Sequence, residues 1–316
     1  MSRCLYCYQL LPAAAPDYHT ACSRKLFGKP TPPVFPYSEA QLLALAEQIV
    51  RSHITVTGVQ PKLSLTMAAT GEAAQPTRFT IVGALGAYIL KPPTPHYPSL
   101  PEVEDLTMHL AALAGLATVP HGLLRLEGGA LAYVTRRIDR HQGQKLAMED
   151  MCQLTERLTE HKYDGSHEQV AKAILRYSAN PGLDVVNYYE LVLFSFLTGN
   201  ADMHLKNFSL LHVPGLGYGL APAYDLVATA LVNPADTEEL ALTLNGRKKN
   251  LKPADFQQAA QRAGVTEKVL TGLFTKFTQA RPAWHRFIDS SFLSPELRQG
   301  YHALLDRRFA QLGLAS

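Results

Sequence analysis

Long apolar runs are missing from this chain of 316 residues. The densest, Tyr188 to Thr198, is broken by Glu190 and Ser195 and falls short of the roughly 18 residues that a membrane span needs. The N-terminus carries Arg3, Cys4 and Tyr6 but no continuous apolar core of signal-peptide length. A strong charge imbalance is missing too, since a formal net charge of +3 neither demands nor excludes an acidic partner. No internal repeat is found, and low complexity is confined to one proline-rich stretch. These absences exclude a membrane-spanning or repeat protein and leave a soluble cytoplasmic one as the expectation. With 47% apolar and 18% charged residues the chain is not largely disordered. Its length allows a substantial core, in one large domain or in two lobes.

Cysteine is scarce and unevenly spread. Of four cysteines, three lie in the first 22 residues as Cys4-x2-Cys7 and Cys22, with His19 between them. The pattern C-x2-C-x11-H-x2-C offers two close ligand pairs of the kind that suit tetrahedral Zn²⁺. Residues 1–28 are too few to bury a core alone, so a metal would explain how such a module folds. The alternative is a reduced, mobile tail whose cysteines pack against the main body. Cys152, in the helix-patterned run Met148 to Gln153, reads as a small core residue.

Lys29 to Pro36 holds four prolines in eight residues and reads as an extended spacer. Ser38 with Gln41 resembles a capping box that opens the helical pattern Leu42, Leu43, Leu45, Ala46, Ile49, Val50. Ile54 to Met67 and Arg78 to Leu90 suggest short strands and turns. Pro101 to Leu116 returns to helical spacing, with Glu102, Glu104 and Asp105 near its start, where the helix dipole favours acids. Leu123 to Leu126 and Ala130 to Ile138 form an expected hairpin around Gly128-Gly129. From about Glu149 onward the pattern is mainly helical, over Val170 to Tyr177, Tyr188 to Leu197, Pro253 to Ala263, Glu267 to Thr278 and Pro295 to Leu312. A strand-rich first part and a helix-rich second part make an α+β chain, with two lobes as the expectation.

One stretch carries chemistry. Gly199-Asn200-Ala201-Asp202-Met203-His204-Leu205-Lys206-Asn207 is followed by Tyr224-Asp225. An Asp, four residues, an Asn and a later Asp are what phosphoryl transfer from ATP requires. Asp202 can orient a hydroxyl nucleophile and accept its proton, while Asn207 and Asp225 can hold Mg²⁺ on the phosphates. The loop directly follows the buried helix pattern, and Phe208 to Leu211, a turn at Gly215 and Gly217, and Pro222 to Tyr224 would let Asp225 face Asn207 across a hairpin. A solvated polar loop is the plain alternative, and the apolar surroundings weigh against it. Tyr88-Ile89-Leu90-Lys91 is an apolar strand ending in a cation, the arrangement of a lysine held beneath a nucleotide. Glu104 is its candidate orienting acid, with Glu102 and Asp105 competing; a snorkelling strand-end lysine is the other reading. Ile54 to Lys62, containing one glycine, is a candidate phosphate-covering loop that matches neither common glycine-rich pattern.

Taken in order, several pieces resemble the HipA-type kinases, the toxin components of bacterial toxin–antitoxin systems. They are Thr57-Gly58-Val59-Gln60-Pro61-Lys62, Ile89-Leu90-Lys91, Arg136-Arg137-Ile138-Asp139-Arg140, Glu149 to Gln153, Lys162-Tyr163, Gly199 to Phe208 and Ala223-Tyr224-Asp225. The runs Gly58 to Leu63 and Asn200 to Leu205 look most like the short HipT form. HipA carries a further domain ahead of the ATP loop, whereas here that loop begins near position 55. In the three-gene HipBST arrangement that domain is a separate antitoxin, HipS, and HipB is the DNA-binding partner.

The resemblance implies a bilobal, protein-kinase-like fold, which after the cysteine module at 1–28 gives a strand-rich N-lobe at 29–138 and a helical C-lobe at 139–316. The resemblance implies Asp202 as catalytic base, Asn207 and Asp225 as Mg²⁺ ligands and Lys91 on the phosphates. Thr57, Gly58, Val59, Gln60, Pro61 and Lys62 would cover the ATP. Arg136, Arg137 and Ile138 would form the hinge beside adenine, with His204, Leu205, Lys206 and Tyr224 completing the site. Thr55 and Thr57 stand where family members carry autophosphorylated serines, and a phosphate there would add roughly −1.5 to −2 charge and exclude ATP phosphates. Family substrates are aminoacyl-tRNA synthetases, glutamyl for HipA and tryptophanyl for HipT, and HipB brings an association with operator DNA. Two features depart from the pattern: the cysteine module, and Arg136 where HipA has an acidic residue.

Two other functions are weighed against this one. Small-molecule phosphotransferases share the Asp-x4-Asn logic but usually enter the loop through His-Gly-Asp. A corepressor on DNA could use the basic run Arg247 to Lys252, although such runs are more often solvated.

Overall fold

The computed structural model describes residues 2–12, 17–52, 61–68, 77–82, 86–97, 99–141 and 144–314, the side chains of 46–52 excepted. The chain forms two compact units. The first comprises Met1–Asp105, Val119–Ile138 and Ser290–Phe292; the second comprises Leu106–Thr118, Asp139–Asp289 and Leu293–Ser316.

The first unit contains helices α1 (Thr20–Phe27) and α2 (Glu39–Ser52), strands β1 (Leu63–Ala68), β2 (Arg78–Val82) and β3 (Tyr88–Lys91), the start of α3 (Leu100–Leu113), and strands β4 (His121–Arg125) and β5 (Leu131–Arg136). Among the described residues these strands make one antiparallel sheet in the order β2-β1-β3-β5-β4. Strand periodicity sorts the side chains: Leu63 and Leu65 are buried while Ser64 and Thr66, which alternate with them, are half-buried. Phe79 and Tyr88 from the sheet meet Phe27 of α1 edge to face or tilted, giving an aromatic core. The Ser38–Gln41 capping box is present, with Ser38 N–H donating to Gln41 Oε1 at 2.8 Å and Gln41 N–H to Ser38 Oγ at 3.3 Å. The expected hairpin is β4–β5, with Leu124 opposite Ala132.

The N-terminal segment covers the edge of that sheet. Leu123 N–H on β4 donates to Leu5 C=O at 3.0 Å, so the edge strand is not left open. Gly122 permits the approach: a Cβ there would stand 2.9 Å from the Leu26 side chain and 3.4 Å from the Leu5 carbonyl oxygen. A mobile tail is therefore not what the first residues form.

In the second unit α3 continues from Leu106 and stops at Leu113, short of the expected Leu116, where the chain turns at Gly115. Then follow β6 (Arg140–His141), β7 (Gln144–Lys145), β8 (Met148–Asp150), α4 (Met151–Leu154), α5 (His167–Tyr177), α6 (Pro181–Leu197), β9 (Ser209–Val213), β10 (Gly217–Leu220), α7 (Thr229–Val232), α8 (Pro253–Arg262), α9 (Glu267–Asp289) and α10 (Pro295–Gln311). Helix α6 is the spine, buried without a break from Tyr188 to Leu197. Its two polar interruptions are satisfied, Glu190 by Lys276 of α9 and Ser195 Oγ by donation to Leu191 C=O. Helix α9 outruns the expected Thr278 end and passes through Pro282. Proline removes one helical hydrogen bond, but Trp284 beyond it is fully buried against Phe194, Phe277 and Phe309, which keeps the helix going. Cys152 is buried on α4. Among the described residues no helix is long and apolar enough to cross a membrane.

Candidate active site

In the second unit, α6 delivers the chain into the Asp202 loop through Gly199, whose φ of 67° is left-handed. A Cβ there would also stand 2.8 Å from the end of the Leu304 side chain, which would have to shift, so the conformation above all calls for glycine. The loop is built from short hydrogen bonds. Asn200 Oδ1 accepts from Asp202 N–H at 3.2 Å, and Ala201 N–H donates to Thr229 Oγ1 at 2.8 Å. His204 N–H donates to Asp202 C=O at 2.8 Å, opening a 3₁₀ turn over Leu205–Asn207. Asn207 Nδ2 donates to the same Asp202 carbonyl at 2.9 Å. Its amide nitrogen is thereby engaged, which leaves the amide oxygen as the ligand-type atom.

Asp202 is exposed while Ala201, Met203, His204, Leu205 and Asn207 around it are buried. Tyr163 OH donates to Asp202 Oδ1 at 2.7 Å, and its ring lies edge-on to His204 at 5.0 Å. Burial first, and then this bond to the carboxylate, raise the Tyr163 phenol above its ordinary range. Burial lowers the His204 imidazole, opposed by the Asp202 and Asp225 charges. His204 Nδ1 is buried and has no hydrogen-bond partner among the described residues. Tyr224 OH donates to Lys206 C=O at 3.1 Å and is hydrogen-bonded with Ser209 Oγ at 2.5 Å. Asp225, half-buried, follows with φ of 60°, a left-handed conformation that a non-glycine residue adopts at some cost. The Lys206 side chain turns to Asp150 Oδ2 at 2.8 Å, and Leu205 is wholly buried.

The first unit holds Lys91 and its candidate acids. Lys91 Nζ lies 2.5 Å from Glu104 Oε1 with both side chains buried, and 5.4 Å from the centre of the Tyr133 ring. Of the three acids on the first turns of α3, Glu104 meets Lys91. Asp105 takes Tyr8 OH at 2.7 Å and His121 Nδ1 at 2.6 Å. Glu102 is held up at about 7 by burial and secondarily by the Asp105 charge. Arg136 is exposed, and its N–H donates to Pro120 C=O; Arg137 N–H donates to Ala87 C=O, both at 2.9 Å, and Ile138 is half-buried. Pro61 is half-buried and Lys62 exposed. Thr55, Thr57, Gly58, Val59 and Gln60 lie outside the described residues.

Two contributors escape sequence reasoning. Tyr163 touches Asp202 across 39 positions and Thr229 touches the loop across 28, so no local spacing announces either. Tyr163 does fall inside one of the motif pieces, Lys162-Tyr163, which is the single available hint.

The four N-terminal Cys/His residues also converge. Their ligand atoms all lie within 4.8 Å of one another. Burial opposes ionisation of the Cys4 thiol, but hydrogen bonds from the backbone of Cys7, His19 and Tyr6 and from the Cys7 side chain outweigh it and hold it below the usual thiol range. Burial and then the neighbouring Cys4 charge push Cys22 up to about 12.

The HipA-like C-terminal domain family matches residues 54–284. A Sinorhizobium fredii protein named a putative kinase is 32% identical over 224 residues, which is 67% of this chain and 51% of that protein. A Haemophilus influenzae protein, also named a putative kinase, is 29% identical over 211 residues, 63% of this chain and 59% of that one. The chain spans about half the length of the curated relatives it matches. A chain of the Shewanella oneidensis MR-1 toxin–antitoxin complex of HipA, HipB and operator DNA superposes with a TM-score of 0.64 at 21% identity, covering 80% of this chain and 64% of that one. The Helicobacter pylori proinflammatory kinase CtkA gives 0.55 at 18% identity, covering 79% and 95%. At such identities these two likenesses establish the kinase-like fold: α+β, strand-rich in its first lobe and helical in its second.

Proposed function

The chain belongs to the HipA-like C-terminal domain family, and from that premise we propose that it is an ATP- and Mg²⁺-dependent serine/threonine protein kinase. The observation that carries the proposal is the build of the Asp202 loop. One exposed carboxylate stands on a buried, cross-bonded frame, with an asparagine oxygen and a second carboxylate nearby in sequence order. Asp202 takes the proton of the incoming hydroxyl. Tyr163 engages Oδ1, leaving Oδ2 for that proton. The Asn207 amide oxygen and the Asp225 carboxylate are hard oxygen donors of the type Mg²⁺ selects, so the donor set fits the ion. Magnesium, when bound, neutralises charge on the transferring phosphates. Lys91, held rigid by Glu104, supplies a fixed cation to the phosphates. The Arg136 to Ile138 strand end borders adenine, and His204, Leu205, Lys206 and Tyr224 shape the loop rim.

The finer reading is the HipT-like form, supported by the runs Gly58 to Leu63 and Asn200 to Leu205. Its substrate is then an aminoacyl-tRNA synthetase, tryptophanyl before glutamyl, whose phosphorylation arrests translation. Its partners are HipB-like and HipS-like proteins, with operator DNA reached through the former. Thr55 and Thr57 are the internal phosphate acceptors. Residues 29–138 act as the nucleotide lobe and 139–316 as the catalytic lobe.

Induced expression of the wild type and of Asp202→Asn, followed by phosphoproteomics of the host, tests the proposal. Growth arrest and a phosphorylated synthetase are expected from the wild type alone. Equal toxicity from both proteins would sink the kinase-toxin reading. A phosphorylated small metabolite with an unmodified proteome would replace it with small-molecule phosphotransfer.

A further inference from the structure

The Cys4, Cys7, His19 and Cys22 cluster lies before residue 54, where the family match begins, and phosphotransfer makes no use of it. We propose that these four side chains bind one structural Zn²⁺, which locks the N-terminal segment onto the β4 edge of the first unit's sheet.

A tetrahedral zinc with three sulfur ligands and one nitrogen sets its ligand atoms roughly 3.5–3.8 Å apart. Here His19 Nδ1 lies 3.4 Å from Cys7 Sγ and 3.9 Å from Cys22 Sγ, and all four atoms fall within 4.8 Å. None of the cysteines is in a disulfide.

The histidine is already set up as a ligand. His19 Nε2 is 3.1 Å from Leu10 C=O. A carbonyl can only accept, so Nε2 carries the proton, and the lone pair of Nδ1 faces the sulfurs. A backbone carbonyl holding the far nitrogen is the usual second-sphere arrangement of a metal-bound imidazole.

The first cysteine pair sits in a tight reversal. Cys4 N–H donates to Gln9 C=O and Tyr8 N–H to Cys4 C=O, both at 2.9 Å. Tyr8 turns the chain at φ of 62°, a left-handed conformation costly for an aromatic residue. Such strain persists where the surroundings over-determine it. Here Tyr8 is buried, with its hydroxyl on Asp105 and its ring edge-on to Phe292. A metal joining Cys4 and Cys7 to His19 and Cys22 closes the two loop ends and fixes this reversal.

Closure has a mechanical consequence. From the clasped segment Leu5 N–H donates to Asp17 C=O, while Leu5 C=O takes the β4 edge amide of Leu123. Tyr18 OH donates to the Leu123 carbonyl. Arg125 Nε lies 3.0 Å from Asp17 Oδ2 at the end of the same strand. The zinc thus stands where a short segment without a core of its own must hold a sheet edge.

The full chain, purified under reducing conditions without chelator, is expected to carry about one zinc by elemental analysis, as would Cys152→Ser. Cys7→Ser and Cys22→Ser are expected to fall below a tenth of that content. Should those variants fail to fold, the wild-type chain decides. Cobalt substituted into it is to give a sulfur-to-cobalt charge-transfer band and tetrahedral d–d absorption, both bleached by zinc. Metal release is expected to raise Leu123 amide exchange at least tenfold. Wild-type protein without stoichiometric zinc and without the cobalt spectrum would overturn the site, as would iron in its place or equal loss from Cys152→Ser. Unchanged Leu123 exchange after metal release would overturn the clamp.

Discussion

The lysine of the first unit and the aspartate of the second are held by opposite means. Lys91 is buried and held by its ion pair to a fully buried Glu104. Asp202 is exposed and fixed by its backbone, which is tied to Asn200, His204 and Asn207. A buried charge depends on its partner, because removing one member leaves the other desolvated and uncompensated. An exposed carboxylate on a bonded frame carries no such dependence. The first region therefore joins stability to chemistry, and the second separates them.

The sharpest test is to remove each charge in turn. Lys91→Met is expected to destabilise folding by about 3–5 kcal/mol in urea titration. Asp202→Asn is expected to shift stability by less than about 0.5 kcal/mol while lowering phosphotransfer roughly 10²- to 10⁴-fold. Equal destabilisation by the two would break the contrast.

Next in size is a pH effect confined to the lysine region. The Glu102 carboxyl is raised from 4.5 to about 7 in the folded chain. Between these values the folded state binds more protons than the unfolded one, so stability falls as pH rises through the window. Glu102→Gln is expected to abolish a loss on the order of 2–3 kcal/mol between pH 4.5 and 7. Parallel stability curves for variant and wild type would remove Glu102 from the account.

The frame of the aspartate loop is probed by Gly199→Ala. Its left-handed φ and the crowded Leu304 side chain lead to an expected cost of about 1–3 kcal/mol, read as a fall in Tm. Smallest is Tyr163→Phe, which deletes one hydrogen bond to Asp202 from a residue that is 41% exposed. An expected loss of about 0.5–1.5 kcal/mol corresponds to a several-fold drop in kcat, with KM for ATP and Tm unchanged. A matching fall in Tm would mark Tyr163 as structural.

Much of the local structure is legible without coordinates. Ser38 and Gln41 announce a helix start, Gly128-Gly129 a hairpin, and the apolar run before Gly199 a buried helix that ends at a loop. The C-x2-C and H-x2-C pairs announce four side chains able to converge. Other features stay hidden. Glu102, Glu104 and Asp105 lie within one turn of helix, and periodicity alone leaves all three as partners for Lys91. Packing separates them, because Tyr8 and His121 occupy Asp105 while Glu104 meets the strand-end lysine. Pro282 argues for a helix end in sequence, yet burial of Trp284 outweighs one lost hydrogen bond.

What the sequence by itself determined is therefore whatever is local. Caps, turns, strand and helix periods and the order of the motifs depend on residues a few positions apart, where backbone geometry leaves few choices. Only the tertiary structure decided the pairings at long separation: Tyr163 with Asp202, Thr229 with Ala201, Leu5 with the β4 edge, and Glu104 rather than its neighbours with Lys91. Such contacts are selected by burial and by satisfying every desolvated polar group at once, a condition that belongs to the whole packed unit rather than to any stretch of chain.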